Sequence, residues 1–241
     1  MSPAEKVDRL IAKQLKGELP CAVIGHEIIV LQQTGSTNDA ILQVASNQGA
    51  AVSGPPSLIK QGLVLFAEHQ TAGRGQRGNH WESTAGKGLW FSILLRPEIQ
   101  LIDSGRLTIW AIETVSGVIR SKFGLEPAVK LPNDVQLSGC KVAGVLVEMR
   151  AQHKAPHLAV VGIGINVNQW RDDFPTELQD RAISLAMALG RQVDRQNFAV
   201  ALLRNLDATY REKFARGVAA LNSCPAATTT LDKLVAKFRT A

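Results

Sequence analysis

The amino-acid sequence predicts an α/β fold, with helices packed on a β-sheet. Short apolar runs that are typical of strands alternate with stretches in which apolar residues recur at helical spacing. Residues 158–166 (LAVVGIGIN) are apolar almost throughout, which predicts a strand buried in the centre of the sheet. Residues 104–123 predict a long amphipathic helix packed on that sheet. With 241 residues, 45% of them hydrophobic, the chain can form one globular domain with a core of normal size.

The first half of the chain predicts helices and strands in alternation. The predicted elements are a helix over residues 3–16, strands over 27–33, 63–69 and 89–96, and a helix over 36–46. Apolar residues between Val7 and Leu15 give the first helix its spacing. Pro55-Pro56 and two glycines predict a surface loop over residues 47–61.

The second half predicts further strands and the longest helices. Strands are predicted over residues 128–131, 135–137, 142–149 and 158–166, and helices over 104–123, 182–189 and 194–215. Ser138-Gly139 predicts a tight turn between two strands, and Gly190 predicts the end of a helix. Trp110 is expected in the core. The tail predicts at most one helix, over residues 231–238.

Residues 67–91 (AEHQTAGRGQRGNHWESTAGKGLWF) predict a glycine- and arginine-rich loop between two strands. It carries Gly73, Gly75, Gly78, Gly86, Gly88, Arg74, Arg77, Lys87, Trp81 and Trp90. Glycine turns can aim backbone N–H groups at an anion, arginine binds phosphate or carboxylate oxygens, and tryptophan offers a flat face to a base. The loop is therefore a candidate nucleotide site, with a solvated linker or a non-specific nucleic-acid contact as the alternatives. A Rossmann fingerprint does not fit, because a strand rather than a helix follows.

Five short motifs follow one another along the chain. They are GSTN at residues 35–38, GRGQRGN at 73–79, KLPND at 130–134, KVAG at 141–144 and GIGINVN at 162–168. Together they make residues 27–215 resemble the biotin–protein ligases, in a short form without a DNA-binding domain. The resemblance implies a mixed sheet flanked by helices, similar to the catalytic domains of class II aminoacyl-tRNA synthetases.

The resemblance divides the chain into three segments. Residues 1–22 are expected to be an N-terminal helix or extension, too short for a winged-helix domain. Residues 23–215 are expected to be the catalytic domain. Residues 216–241 are expected to be a short tail, without the C-terminal β-barrel domain that many of these ligases carry.

The resemblance also implies a two-step activity. Biotin and ATP, with Mg²⁺ carried by the ATP, give biotinyl-5′-adenylate and pyrophosphate. A lysine of a biotin carboxyl carrier protein, a subunit of acetyl-CoA carboxylase, then takes the biotin. Positioning and charge neutralisation supply most of the catalysis of such a reaction. No metal ligand from the protein itself is expected, and a homodimer is a further partnership that the resemblance allows.

The site residues follow from matching the motifs. Lys141, which would bridge the biotin carboxylate and the α-phosphate, and Arg74 are expected to be catalytic. Biotin is expected to contact Ser36, Thr37, Asn38, Gln70, Gly73, Asp134, Gly144, Leu146, Gly162 and Gly164. ATP and the adenylate are expected to contact Arg74, Gly75, Gln76, Arg77, Gly78, Trp81, Asn133, Lys141 and Asn166.

Some of these positions also have a purely structural interpretation. Ser36 and Thr37 fit the N-terminal cap of a helix. Asn133 and Asp134 fit a turn, and Lys141 fits a solvated lysine at a strand edge.

Three positions depart from the residues that are usual in the family. Gln76 and Asn79 stand where arginines are usual, and Leu131 stands where a tryptophan is usual. The first of those arginines helps to retain the adenylate. Gln76 therefore predicts that biotinyl-adenylate escapes from this chain more readily.

Charge and cysteine content set the broader limits. The net charge of +6 favours acidic partners, whether nucleic acid, nucleotide or acidic protein, and no run of positive residues decides between them. Cys21, Cys140 and Cys224 match no zinc spacing. No apolar run approaches the ~20 residues that span a bilayer, and no secretory signal is evident. The expectation is a cytoplasmic protein without a membrane or DNA partner.

Other functions stay open at this point. A lipoate or octanoate ligase, or an octanoyl transferase, would use the same fold, and Cys140 could serve the transferase as its nucleophile. A repressor that senses biotin would need a helix-turn-helix. A degenerate module would bind the adenylate without transferring it.

Overall fold

The computed structural model of the chain describes residues 8–19, 22–50, 61–151 and 156–214, which are built on one seven-stranded sheet. The strands are β1 (Glu27–Thr34), β2 (Leu63–Gln70), β3 (Gly88–Leu95), β4 (Ala128–Lys130), β5 (Asp134–Leu137), β6 (Cys140–Arg150) and β7 (Leu158–Asn166). The helices are α1 (Ala12–Gly17), α2 (Thr37–Ala50), α3 (Gly105–Phe123), α4 (Leu185–Leu189) and α5 (Arg195–Phe214).

The sheet is mixed, as predicted, and its strand order is β1-β2-β3-β7-β6-β5-β4. Strands β1 and β2 pair in parallel, and the other five neighbouring pairs are antiparallel. The apolar strand β7 lies in the middle of the order, between β3 and β6. The prediction of a buried central strand is therefore confirmed.

The two faces of the sheet carry separate helical layers. Helices α3 and α5 cover one face, where Trp110 and Phe198 are buried in the larger core cluster. Helix α2 covers part of the other face, where Ile41 packs in a smaller cluster with Leu65 of β2. Trp110 is 1% exposed, which confirms its predicted place in the core.

Several predicted boundaries are wrong for identifiable reasons. Helix α1 begins only at Ala12, because the backbone N–H of Leu10 donates to the buried Glu68 carboxylate at 2.9 Å instead of joining a helix. Helix α4 begins at Leu185, because the residues before it pair with β6: Ile183 N donates to Lys141 O at 3.0 Å. Helix α2 continues to Ala50, beyond its predicted end.

Other predictions fall on residues that the structure does not describe. These are residues 3–7 of the first predicted helix, residues 51–60 of the predicted loop, Cys21, Cys224 and the predicted helix over 231–238. Within the described parts of the chain, no helix is long and apolar enough to cross a membrane.

Candidate active site

The candidate site is a pocket on the sheet face that also carries α2. Its floor is glycine: Gly144 of β6 pairs with Gly164 of β7, and Gly162 lies on the same face of β7. A Cβ at Gly162 would collide with the amide of Asn38, and a Cβ at Gly144 or Gly164 would collide with the ring of Trp81. Glycine is therefore required here because other side chains approach the strands closely.

A buried network of neutral polar groups forms one wall of the pocket. The backbone N–H and the hydroxyl of Thr37 both donate to Gln70 Oε1, at 2.8 and 3.1 Å, and Gln70 Nε2 donates to Ser83 Oγ at 3.1 Å. Ser92 Oγ lies 2.8 Å from Thr37 Oγ1 and donates to Asn38 Oδ1 at 2.6 Å. Buried polar groups need such partners, so the network fixes the amides in one orientation.

Arg74 is held at the pocket by two carboxylates. Its guanidinium donates to Glu148 from Nη1 at 3.1 Å and from Nη2 at 2.6 Å, and Nη2 also donates to Asp39 at 2.9 Å. Asn38 Nδ2 donates to the same Glu148 carboxylate at 2.7 Å. Neither Glu148 nor Asp39 was predicted as part of the site.

Lys141 also has a carboxylate partner. Its Nζ lies 2.7 Å from Asp134 Oδ1 and 5.1 Å from the centre of the Trp81 ring, so the ammonium combines an ion pair with a cation–π contact. Asp134 Oδ1 is buried and accepts no directed hydrogen bond from the described residues, which leaves the ion pair as its compensation. The interpretation of Lys141 as a solvated strand-edge lysine is therefore wrong.

Trp81 lies on the glycine floor. Its ring covers Gly144 and Gly164 and meets Trp90 edge-on, with ring centres 6.0 Å apart. The cavity that remains has a volume of about 40 Å³, whereas small-molecule pockets usually measure about 300–1,000 Å³. The indole must therefore move before a ligand the size of biotin can contact both glycines.

The glycine/arginine loop folds back on itself as a hairpin. Trp81 N donates to Gly73 O at 2.9 Å, which brings the two arms together below the turn Gln76–Gly78. Arg77 has a φ of 57° at the tip of this turn. Its side chain is exposed, whereas Gln76 is half-buried. Of the predicted phosphate contacts at the tip, Arg77 and Gly78 thus face solvent.

The structural interpretations hold for Ser36 and Asn133, and Asn166 is also held by hydrogen bonds within the fold. Ser36 O accepts from Ala40 N at 3.0 Å, so Ser36 starts α2 while it lines the pocket. Asn133 Nδ2 donates to Val145 O at 3.0 Å and stabilises the turn before β5. Asn166 is buried, and its Nδ2 donates to the carbonyls of Lys141 and Ile183 at 3.3 and 3.2 Å.

The far end of the loop is anchored by a half-buried ion pair and a hydrogen bond. Lys87 Nζ lies 2.7 Å from Asp173 Oδ2, and Trp170 N donates to the same carboxylate oxygen at 2.8 Å. Partial burial works to raise the pKa of the Asp173 carboxyl, but these two donors and the charge of Lys87 outweigh it and lower the pKa.

A fully buried arginine anchors the strand that follows the loop. Arg195 Nη1 donates to Glu68 at 2.8 Å and to the carbonyl of Gly88 at 3.0 Å, and its Nε donates to Asp8 at 3.0 Å. The segment around Asp8, the start of α5 and the end of the loop are therefore joined at one point. No pattern in the sequence indicated this contact.

Most of the predicted site residues converge on the pocket. Its lining includes Ser36, Thr37, Asn38, Gln70, Arg74, Gly75, Trp81, Asn133, Lys141, Gly144, Leu146, Gly162 and Gly164. Gly73, Gln76, Arg77, Gly78, Asp134 and Asn166 belong to the elements around it. The ligand contacts of all these residues stay predictions. Among the described residues, no group of three or more His, Cys, Asp or Glu side chains could hold a metal ion.

Comparison with known proteins supports the arrangement. Residues 55–166 match the model of the biotin/lipoate A/B protein ligase family. The chain is 34% identical over 213 residues to the bifunctional ligase/repressor BirA of Bacillus spizizenii, covering 88% of this chain and 62% of that protein. It is 31% identical to the solved structure of biotin protein ligase from Aquifex aeolicus in complex with biotin and ATP, with a TM-score of 0.61, covering 78% of this chain and 73% of that one.

The chain belongs to the biotin/lipoate A/B protein ligase family. A further member, the biotin–[acetyl-CoA-carboxylase] ligase of Mycobacterium tuberculosis, is 36% identical over 187 residues, covering 76% of this chain and 64% of that protein. The chain thus spans less than two thirds of the length of the first curated relatives that it matches. The structure brings residues from all five motifs to one pocket.

Proposed function

We propose that the chain activates biotin with ATP and transfers it to a lysine of a biotin carboxyl carrier protein. The observation that carries the proposal is the convergence of motifs far apart in sequence on one pocket. There Arg74 and Lys141 stand beside a glycine floor and a wall of buried amides and hydroxyls. A neutral polar wall next to fixed cations suits a ligand with a polar neutral head and an acidic end.

The polar wall matches the head of biotin. A ureido ring offers two N–H donors and one carbonyl acceptor, and it needs partners of the opposite kind when it is buried. Thr37, Asn38 and Gln70, which line the pocket, supply both kinds. The glycine floor lets the rest of the ligand pack flat against the backbone of β6 and β7.

The cations match the reacting end. In the first step a biotin carboxylate oxygen attacks the α-phosphorus of ATP, the bond to the β-phosphate oxygen breaks, and pyrophosphate leaves. Lys141 carries a compact charge that neutralises the carboxylate and the α-phosphate together, and Arg74 offers a fork of donors to phosphate oxygens. Mg²⁺ bound by the triphosphate adds further neutralisation when ATP is present.

The second step transfers biotin to a protein. The acceptor amine attacks the adenylate carbonyl, AMP leaves, and the amine loses a proton. The Mycobacterium relative is named for acetyl-CoA carboxylase as its acceptor. For the present chain we place the acceptor lysine on a biotin carboxyl carrier domain.

A transferase with Cys140 as nucleophile is not favoured. Cys140 is not among the residues that line the pocket, and its thiol donates to the carbonyl of Asp180 at 3.5 Å. Lys141, the next residue along the chain, does line the pocket. The polypeptide therefore presents the amine rather than the thiol.

We also propose that a second copy of the chain, rather than DNA, is the further macromolecular partner of this domain. Among the described residues, no strand pairs with the outer side of the edge strand β4, where Val129 is 41% exposed; Leu131, just after the strand, is 67% exposed. Sedimentation of the native chain and Val129→Lys, beside a gel-shift assay, tests this directly.

We place the reaction in the reducing cytoplasm, on the ground of the dispersed cysteines.

The test of the function is ATP–pyrophosphate exchange with biotin, lipoate and octanoate offered in parallel. We expect exchange with biotin and background rates with the other two acids. If the exchange rate with lipoate or octanoate exceeds the rate with biotin, that acid and not biotin is the substrate. Absence of exchange with all three acids would overturn adenylate formation itself.

A further inference from the structure

Glu148 of β6 is a charged residue at the pocket to which the proposed chemistry gives no role. One of its oxygens, Oε2, accepts hydrogen bonds from both Asn38 Nδ2 at 2.7 Å and Arg74 Nη2 at 2.6 Å. The other, Oε1, accepts from Arg74 Nη1 at 3.1 Å. A single carboxylate therefore joins the first turn of α2 to the glycine/arginine loop.

The paired contact fixes the plane of the Arg74 guanidinium and still leaves some of its N–H donors free. Arginine carries five N–H donors in a rigid fork. Glu148 takes two of them and Asp39 takes a third, which leaves the Nε–H and one Nη1 proton. Arg74 can therefore keep both carboxylates and still offer two donors to a phosphate in the pocket that it lines.

The contact with Asn38 fixes the orientation of a buried amide. Because Nδ2 donates to Glu148, Oδ1 is turned toward Ser92 Oγ, 2.6 Å away, and toward Gly162. Without an acceptor at position 148, the amide would lose the partner that distinguishes its two ends. The polar wall expected to meet biotin would then lose its fixed pattern of donors and acceptors.

We propose that Glu148 is a positioning residue that fixes the orientation of side chains in both the biotin part and the phosphate part of the site. It orients Asn38 in the biotin wall and Arg74 at the phosphates, and it acts through them rather than by touching either substrate. This inference rests on the proposed function and assigns a role to a residue outside the five motifs. Asp39 acts on Arg74 alone.

The substitution Glu148→Gln separates the two roles. Glutamine keeps an oxygen that accepts from Asn38, but its NH₂ group and missing charge break the fork with Arg74. We expect calorimetry to show affinity for α,β-methylene-ATP falling by about 3- to 10-fold, with a parallel rise in the KM for ATP in pyrophosphate exchange. Biotin affinity should stay within about twofold, since a neutral hydrogen bond replaces a neutral-to-charged one. Glu148→Ala should weaken both ligands.

Two matched variants isolate the route of the effect. Asp39→Asn removes the second carboxylate on Arg74 and leaves the contact with Asn38 intact, so nucleotide affinity should fall less than in Glu148→Gln and biotin affinity should not change. In an Arg74→Ala background, Glu148→Gln should have no further effect on nucleotide affinity. A purely structural role would instead lower both affinities together, in step with the melting temperature.

The outcomes separate this inference from the function on which it rests. Biotin-dependent exchange in the native chain, with nucleotide affinity unchanged or raised in Glu148→Gln, would overturn the positioning role alone. An equal effect of Glu148→Gln with and without Arg74 would do the same. Absence of biotin-dependent exchange in the native chain would overturn the proposed function and this inference with it.

Discussion

Lys141 illustrates how one side chain combines structure and chemistry. Its ammonium is held between Asp134 and the Trp81 ring, so it is poised at the pocket before any ligand arrives. We expect Lys141→Ala to slow pyrophosphate exchange by on the order of 100-fold or more, because a fixed charge at the reacting centre is lost. Circular dichroism should show an intact fold. An unaltered exchange rate in this variant would show that Lys141 does not take part in adenylate formation.

Trp81 lies beside residues that are expected to contact biotin, although the motif match assigns it to ATP and the adenylate. The sequence assigned it to adenine, but its ring lies on the floor expected to hold biotin. We expect the indole, once displaced from the floor, to pack against the bound ligand, so Trp81→Ala should lower the affinity for biotin as well as for ATP, each by roughly 2- to 12-fold from lost aromatic packing. Calorimetry with each ligand alone measures this, with Trp81→Phe as the control. A loss of affinity confined to ATP would mean that Trp81 contacts the adenine and not biotin.

Gln76 is the residue expected to affect how long biotinyl-adenylate stays bound. Glutamine has no charge, and a hydrogen bond from a charged group stabilises a complex more than a neutral one does. The difference in free energy predicts roughly 2- to 30-fold faster escape of biotinyl-adenylate than an arginine would allow. We expect the native chain to biotinylate bystander proteins in a mixed lysate and Gln76→Arg to do so less. Streptavidin blots measure the difference. Equal labelling would mean that Arg77 or another group controls retention.

At the scale of elements, buried Arg195 joins α5, β2 and the strand that follows the loop. Its fully buried charge is compensated by Glu68 and Asp8. Removing one partner of a buried ion pair typically costs about 3–5 kcal/mol. Arg195→Met should therefore lower the free energy of unfolding in urea by an amount of that order. A loss no larger than that of an exposed control such as Arg204→Met would contradict the anchoring role.

The ion pair between Lys87 and Asp173 predicts a pH dependence for the loop end. The pKa of Asp173 lies below its ordinary value of 3.8 in the folded state. Its contribution to stability is then fully present above that ordinary value and is lost as the pH falls through the folded pKa. The stability difference between the native chain and Asp173→Asn should therefore shrink in acid. A difference that grows below pH 3.8 would reverse the assigned direction.

At the scale of the whole molecule, periodicity and motifs predicted the sheet, its central strand and most of the pocket lining. They could not predict Glu148 or Ser92, whose roles depend on sheet register and on where α2 docks. A polar Ser92 inside the buried run of β3 was the one local signal, since a buried hydroxyl needs a partner. The place of Trp81 depends on how the loop folds back, which spacing alone does not encode.

The central claim is that this pocket makes and holds an adenylate, and a single-turnover transfer tests it most directly. The native chain is incubated with biotin and MgATP, freed of small molecules by gel filtration, and mixed with a biotin carboxyl carrier domain in the absence of ATP. The account predicts that the carrier lysine becomes biotinylated in this ATP-free step and that no covalent adduct forms on Cys140. Because Gln76 predicts faster escape of the adenylate, Gln76→Arg is tested beside the native chain. Failure of the ATP-free transfer in both chains, or biotin bound covalently to Cys140, would contradict the account.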